Sequence, residues 1–310
     1  MAKKINLALG GGGTKGFAHI GVIRQLELEG YEIGAIAGTS AGGIVGALYA
    51  FGISIDEMIR LSSSLKFSEI FQRSSDDAPS LLGLGGLYKE LERTFGDATF
   101  ENLKIKFAAV AVDTISGTPV ILNQGKIVDA VKATTAVPGI FPAMKFGDLN
   151  LVDGGVLDPV PISTARWLNP GQPVVAVNLI PPLEKWPETP RMDIPPFVPI
   201  PQFIVEQLNQ FRLGQAMHVF INSMEIMMNM ITELKIKMDK PDLLIRPDVF
   251  NYTMFSKVEV ERLVKIGEDA VKRQADDLFT MFSVSNRASR WLRVAKKPGK
   301  TISEFLSHGN

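Results

Sequence analysis

The 310-residue sequence contains no cysteine. That absence excludes disulfides, thiolate metal sites and a cysteine nucleophile, and it fits a reducing, cytoplasmic location. Histidine is scarce: His19, His218 and His308 are the whole supply. A mechanism built on imidazole must use one of these three. No stretch of about 18 apolar residues is present, so a membrane-spanning helix is not expected. Surplus charge is missing too: 33 Lys and Arg balance 33 Asp and Glu. Net charge therefore gives no reason to expect nucleic acid as a partner. The apolar run at residues 5–9 is too short for a secretory signal, and glycines follow it without a small-residue cleavage site. It reads as a buried first strand.

What is present is the patterning of an α/β protein. Strand 5–9, turn 10–16 and a helical pattern over 17–29 are followed by strand 33–37, turn 38–43 and helix 44–51. Strand–turn–helix twice over predicts a parallel sheet with crossover helices. A short helix is expected over 56–61. Residues 62–86, polar and glycine-rich, are expected to form a surface excursion. Strands follow at 107–112, 119–122, 149–152 and 174–179, with helices at 127–134 and 162–168. Residues 181–201 are crowded with proline, which excludes regular helix and central strand. A Met-rich helix is expected from 202 to 237, a strand at 243–245 and a helix over 258–282. The tail from Arg287 to Lys300 is basic and carries Trp291.

Three motifs carry chemistry. The first is Gly38-Thr39-Ser40-Ala41-Gly42. A serine between a strand and a helix occupies a sharp turn, and small neighbours let its hydroxyl project. Alone, the pattern fits a nucleophile and a helix-capping serine equally well. The second is Gly10 to Gly16, with four consecutive glycines before Thr14 and Lys15. Such a loop converges backbone N–H groups on one point and can hold a phosphate or an oxyanion. Gly11, Gly13 and Gly16 also satisfy a dinucleotide fingerprint, but the expected acid at the end of the second strand is absent. A Walker loop fails as well, because Gly16 follows Lys15 where Ser or Thr is needed. The third is Asp153-Gly154-Gly155 at a strand end. Its carboxylate is a candidate base for Ser40, and an Asx turn is the structural alternative.

In this order the motifs resemble the patatin-like phospholipase family, chiefly its bacterial members. The glycine block matches residues 11–16 and runs on through Phe17, Ala18 and His19. Ser40 matches the family serine, Asp153 its aspartate, and ATTAVPGIFP at residues 133–142 a further block. The likeness covers roughly residues 5–180. It departs at Asp158, where the family often has Asn, and reaches no motif beyond Leu179.

The resemblance implies a three-layer α/β/α fold with a mainly parallel central sheet, forming a catalytic core at 5–180. The proline-rich stretch 181–201 reads as a linker or lid, and the helical patterns beyond it as a mainly helical C-terminal extension at 202–310 packing on the core. The resemblance also implies hydrolysis of lipid esters, of phospholipase A or lysophospholipase type, by a Ser40–Asp153 dyad. Gly11, Gly12, Gly13 and Thr14 would form the oxyanion hole, with Lys15, Gly16, Gly38, Gly42, Gly154 and Gly155 in support. No metal or cofactor is expected. The expected partners are an acyl-ester substrate and a peripheral membrane surface; the basic tail reads either as a contact with that surface or as a solvated segment. Two rivals stay open: a Ser-His-Asp triad using His218 or His308, and a non-catalytic or nucleotide-binding protein that uses the glycine loop.

Overall fold

A computed structural model describes residues 3–65, 67–72, 80, 82–188, 212–283, 286 and 297–306. Its frame follows from the apolar runs. β1 (Lys3–Leu9) leads through the glycine loop into α1 (Phe17–Leu28), and β2 (Tyr31–Gly38) leads through a tight turn into α2 (Ala41–Phe51). β1 is buried from Ile5 to Leu9, as expected of a parallel strand covered on both faces. The chain continues as α3 (Ile55–Ser64), α4 (Phe67–Ile70), α5 (Gly85–Phe95), β3 (Lys106–Asp113), β4 (Thr118–Leu122) and α6 (Ile127–Thr134). Then come β5 (Met144–Phe146), β6 (Leu149–Asp153), α7 (Ile162–Leu168) and β7 (Val174–Val177). The last third supplies α8 (Arg212–Asp239), β8 (Leu243–Ile245), α9 (Val260–Lys272), α10 (Ala275–Thr280), β9 (Lys300–Thr301) and α11 (Ile302–Leu306).

The strands form one sheet in the order β5-β6-β3-β2-β1-β7-β8, with β4 beside β3 and β9 beside β4. Pairing is parallel from β3 through β2, β1 and β7 to β8, and antiparallel where β3 meets β4 and β6. This is the α/β fold with a mainly parallel central sheet that the sequence predicts. The C-terminal third adds strands as well as helices, since β8 extends the central sheet beside β7. It is also locked to the core by helix packing. A side chain at Gly21 of α1 would strike the Val264 carbonyl of α9, and one at Gly267 would strike the Ala18 carbonyl. These two glycines let α1 and α9 cross backbone against backbone.

One expectation is corrected. The surface excursion expected over 62–86 is, among its described residues, part of an apolar wall. Leu82 and Leu84 are buried against Ile140, Phe141 and Phe255. Phe71 stacks on Phe141 with ring centroids 6.0 Å apart. α5 starts inside the same stretch and carries Leu87, Leu91 and Phe95 on one face, at helical spacing. Serines and glycines interspersed among these residues mask that spacing in the sequence. Of the linker or lid at 181–201, residues 189–201 lie outside the described residues. So do residues 202–211 of the expected helix and 287–296 of the basic tail.

Candidate active site

β2 ends at Gly38, and the chain turns through Thr39 and Ser40 straight into α2. Ser40 has φ 54° and ψ −122°, a strained backbone for a residue with a side chain. Its neighbours leave no room for relaxation. A Cβ on Gly38 would strike the Gly42 carbonyl, and a Cβ on Gly42 would strike the Leu9 carbonyl. The two glycines of the motif are therefore required by close approach. The Ser40 N–H donates to Thr134 Oγ1 at 3.0 Å, and that hydroxyl donates to the Val110 carbonyl at 2.5 Å. Thr134, buried at the end of α6, braces the turn and links it to β3. It lies in the 133–142 block, where the sequence signals the block but gives its threonine no role.

β6 brings Asp153 to the same point. Its carboxylate lies beside the Ser40 side chain and accepts a hydrogen bond from the Gly155 N–H at 2.7 Å. Both residues are almost fully buried, Ser40 at 8% and Asp153 at 3% exposure. Burial pushes the Asp153 carboxyl up to about 6, against the Ser40 hydroxyl and the Gly155 N–H, which favour the anion. A carboxylate so poised can take a proton from a hydroxyl and return it near neutral pH. Gly154 packs its Cα against the Val110 carbonyl and completes the turn.

The glycine loop closes over the serine from the β1 side. Two of its four expected oxyanion donors are committed elsewhere. The Gly11 N–H donates to Pro159 O and the Thr14 N–H to Met254 O, each at 3.0 Å. The N–H groups of Gly12 and Gly13 meet no acceptor among the described residues, nor does that of Ala41 at the start of α2. The cradle thus narrows to Gly12 and Gly13, with Ala41 as a further donor that the sequence motif did not single out. Gly13 has φ +59° and sits so tightly on Met254 that a side chain there would displace the loop. Gly16 packs against Ala41, fixing the loop to the serine turn.

Lys15 lies beside this loop, facing Glu225 of α8 across a cleft shared with Tyr252 and Thr253. Burial lowers its pKa to about 8, with Glu225 opposing the shift. The Asp158 side chain meets α8. It sits 3.4 Å from Lys235, which also pairs with Asp239 at 3.2 Å, so it tethers α8 to the 153–158 turn. Burial raises the Asp158 carboxyl to about 7, opposed by Lys235 and reinforced by Asp239. Its backbone carbonyl accepts from Thr39 Oγ1 at 2.8 Å, bracing the residue before Ser40.

His19 does not approach the pair as a base. Its Nε2–H donates to the Gly10 carbonyl at 2.8 Å, and burial lowers its pKa to about 4. It is a neutral brace under the glycine loop. The His218 side chain and all of His308 lie outside the described residues. Among the described residues no group of His, Asp and Glu converges as metal ligands do.

A model of the family described as patatin-like phospholipase matches residues 7–166, more than half of the chain. The chain belongs to the patatin-like phospholipase family. An uncharacterized NTE family protein of Mycobacterium tuberculosis is 36% identical over 179 residues, 57% of this chain and 49% of that protein. The lysophospholipase NTE1 of Candida albicans is 29% identical over 167 residues, 52% of this chain and 12% of that protein. The chain thus spans about half the length of the mycobacterial relative and far less of the fungal one. The crystal structure of VipD from Legionella pneumophila aligns with a TM-score of 0.47 and 14% identity, over 89% of this chain and 67% of that one.

Proposed function

We propose that this patatin-like protein is a serine hydrolase of lipid esters, with Ser40 as nucleophile and Asp153 as the single proton carrier. The observation that carries this reading is the buried Asp153 carboxyl lying beside Ser40 at the strained turn that opens α2, both lining one cavity. Ser40 Oγ attacks the ester carbonyl as its proton passes to Asp153. The Gly12 and Gly13 N–H groups hold the oxyanion, each donor being worth about 3 kcal/mol of transition-state stabilisation. The intermediate collapses, the C–O bond to the alcohol breaks, and Asp153 returns the proton to the leaving oxygen. Water then attacks the acyl-enzyme, gives its proton to Asp153, and the acid departs as Ser40 recovers its hydroxyl. The substrate class follows from family membership and from the apolar walls around Ser40. The catalytic unit is proposed as residues 5–180, with the later helices packed on it.

A fluorophosphonate probe tests the reading directly. We expect one covalent adduct, found by peptide mass spectrometry on the peptide containing Ser40. A labelled second serine, or no labelling of folded protein, would reject it.

A lipid surface is the proposed partner, met peripherally from the cytoplasm. Among the described residues no helix is long and apolar enough to cross a membrane. α8 nevertheless exposes Ile226, Met227, Met230, Leu234 and Met238. At 100° per residue these fall within an arc of ~120° on one face. Phe220, also half exposed, reaches from the same helix into the cavity beside Ser40. The apolar face is therefore continuous with the mouth of the site. Met227→Glu combined with Met230→Glu should reduce cosedimentation with anionic vesicles several-fold and spare hydrolysis of a soluble ester. Undiminished vesicle binding would remove α8 from the membrane contact.

A further inference from the structure

Two separate apolar cavities meet at Ser40. One runs along α2, walled by Ile44, Leu48, Leu87, Leu91 and Phe141. The other lies under α8, walled by Val156, Ile180, Met224 and Met228. Ser40, Val137 and Met254 border both, so they form the ridge between them. The remaining members of the site are divided. Gly13 and Ala41 border the α2 cavity, whereas Gly12 and Asp153 border the α8 cavity.

Resting on the reading of Ser40 and Asp153 given above, we propose that the two cavities divide the substrate at its scissile ester. The acyl chain lies along α2, and the alcohol portion, itself bearing apolar bulk, leaves under α8. The assignment follows from the proton. The C–O bond to the alcohol breaks as Asp153 protonates the leaving oxygen, so that oxygen must face the cavity that Asp153 borders. The acyl carbon stays bonded to Ser40 Oγ, and its chain takes the other side. Water then reaches the acyl-enzyme through the vacated α8 side, where the same carboxylate accepts its proton.

The walls fit this division. Most polar side chains along the α2 cavity are occupied elsewhere. Glu90 accepts from Arg93, the Thr94 hydroxyl donates to the Glu90 carbonyl, and the Thr135 hydroxyl to the Val131 carbonyl. A run of methylenes therefore meets little unsatisfied polarity there. From Ala41 to Leu48 the cavity follows α2 for ~10 Å, the rise of seven helical residues. Leu48 is the last α2 residue to line it, so bulk there narrows the path of a long chain. The α8 cavity instead borders the cleft of Lys15 and Glu225, sharing Gly11, Gly12 and Glu225 with it. It suits the alcohol half of an amphiphile, apolar near the ester and charged beyond.

Two substrate series separate the cavities: p-nitrophenyl butyrate, octanoate and palmitate vary the acyl chain, and ethyl, octyl and hexadecyl butyrates vary the alcohol. Leu48→Trp should lower the palmitate-to-butyrate ratio of kcat/KM about tenfold or more and hold the hexadecyl-to-ethyl ratio within about threefold. Met224→Trp should do the reverse. Ile44→Phe carries the same expectation as Leu48→Trp and replaces it if the larger ring prevents folding. Crossed profiles, with Leu48→Trp changing the alcohol series or Met224→Trp the acyl series, would overturn the division while the Ser40 mechanism stands. A wild-type enzyme inactive on every ester would overturn the Ser40 mechanism and the division with it.

Discussion

Ser40→Ala should lower ester turnover by about four orders of magnitude or more, the scale on which a nucleophile that acts as part of a unit is lost. The fold should survive. Serine and alanine both carry a Cβ, so the φ of 54° is no more strained in the variant than in the native turn. The Thr134 brace is untouched, because it holds the backbone N–H of residue 40 and not its side chain. The loss is confined to one hydroxyl beside Asp153. Without that hydroxyl burial acts on Asp153 less opposed, so its carboxyl should titrate above its native value of about 6. Turnover of p-nitrophenyl butyrate, fluorophosphonate labelling and the circular dichroism melt check the three parts. Turnover near wild type in a sample free of native enzyme would remove Ser40 from the mechanism.

The residues expected to matter were legible where chemistry and local geometry coincide. Gly38 and Gly42 flank Ser40 because carbonyls from Leu9 and from Gly42 itself occupy the space a side chain would need. A turn that tight leaves the same mark in any sequence. The parallel core was legible for a similar reason, since strands such as β1 and β7 are apolar at successive positions. Long-range commitments were not. Nothing near the glycine loop announces that Pro159 and Met254 will take the N–H groups of Gly11 and Thr14. Those partners lie more than a hundred residues away in sequence. The wall built by Leu82, Leu84 and α5 was hidden by the serines and glycines mixed into it. β5 is only three residues long, too short to show a period.

Asp153→Asn should be nearly as damaging as Ser40→Ala, while replacing all three histidines should not. Asparagine keeps the shape and can still accept the Gly155 N–H, but it cannot take the serine proton. The pH dependence gives the sign. Only the ionised Asp153 is a base, so kcat/KM in the native enzyme should rise as pH passes through about 6 and then level off. An ordinary carboxylate would place that rise near 4. Stability runs the other way. A folded value raised above the unfolded one means the fold binds the proton more tightly. The ionised group then opposes folding above pH 6, and the penalty fades as pH falls from there towards 4. At pH 8 Asp153→Asn removes that charge, so the variant should be inactive yet at least as stable as the parent, by no more than about 3 kcal/mol. His19→Gln places an amide donor near the Nε2 position that meets the Gly10 carbonyl, and with His218→Gln and His308→Gln it leaves no imidazole in the chain. That triple variant should fold and hydrolyse esters within about tenfold of wild type, a cost near 1.4 kcal/mol. It should also keep the rise near pH 6, because the titrating group is a carboxylate. A well-folded triple variant without activity, or one whose rise has vanished, would transfer the proton to a histidine and refute the dyad.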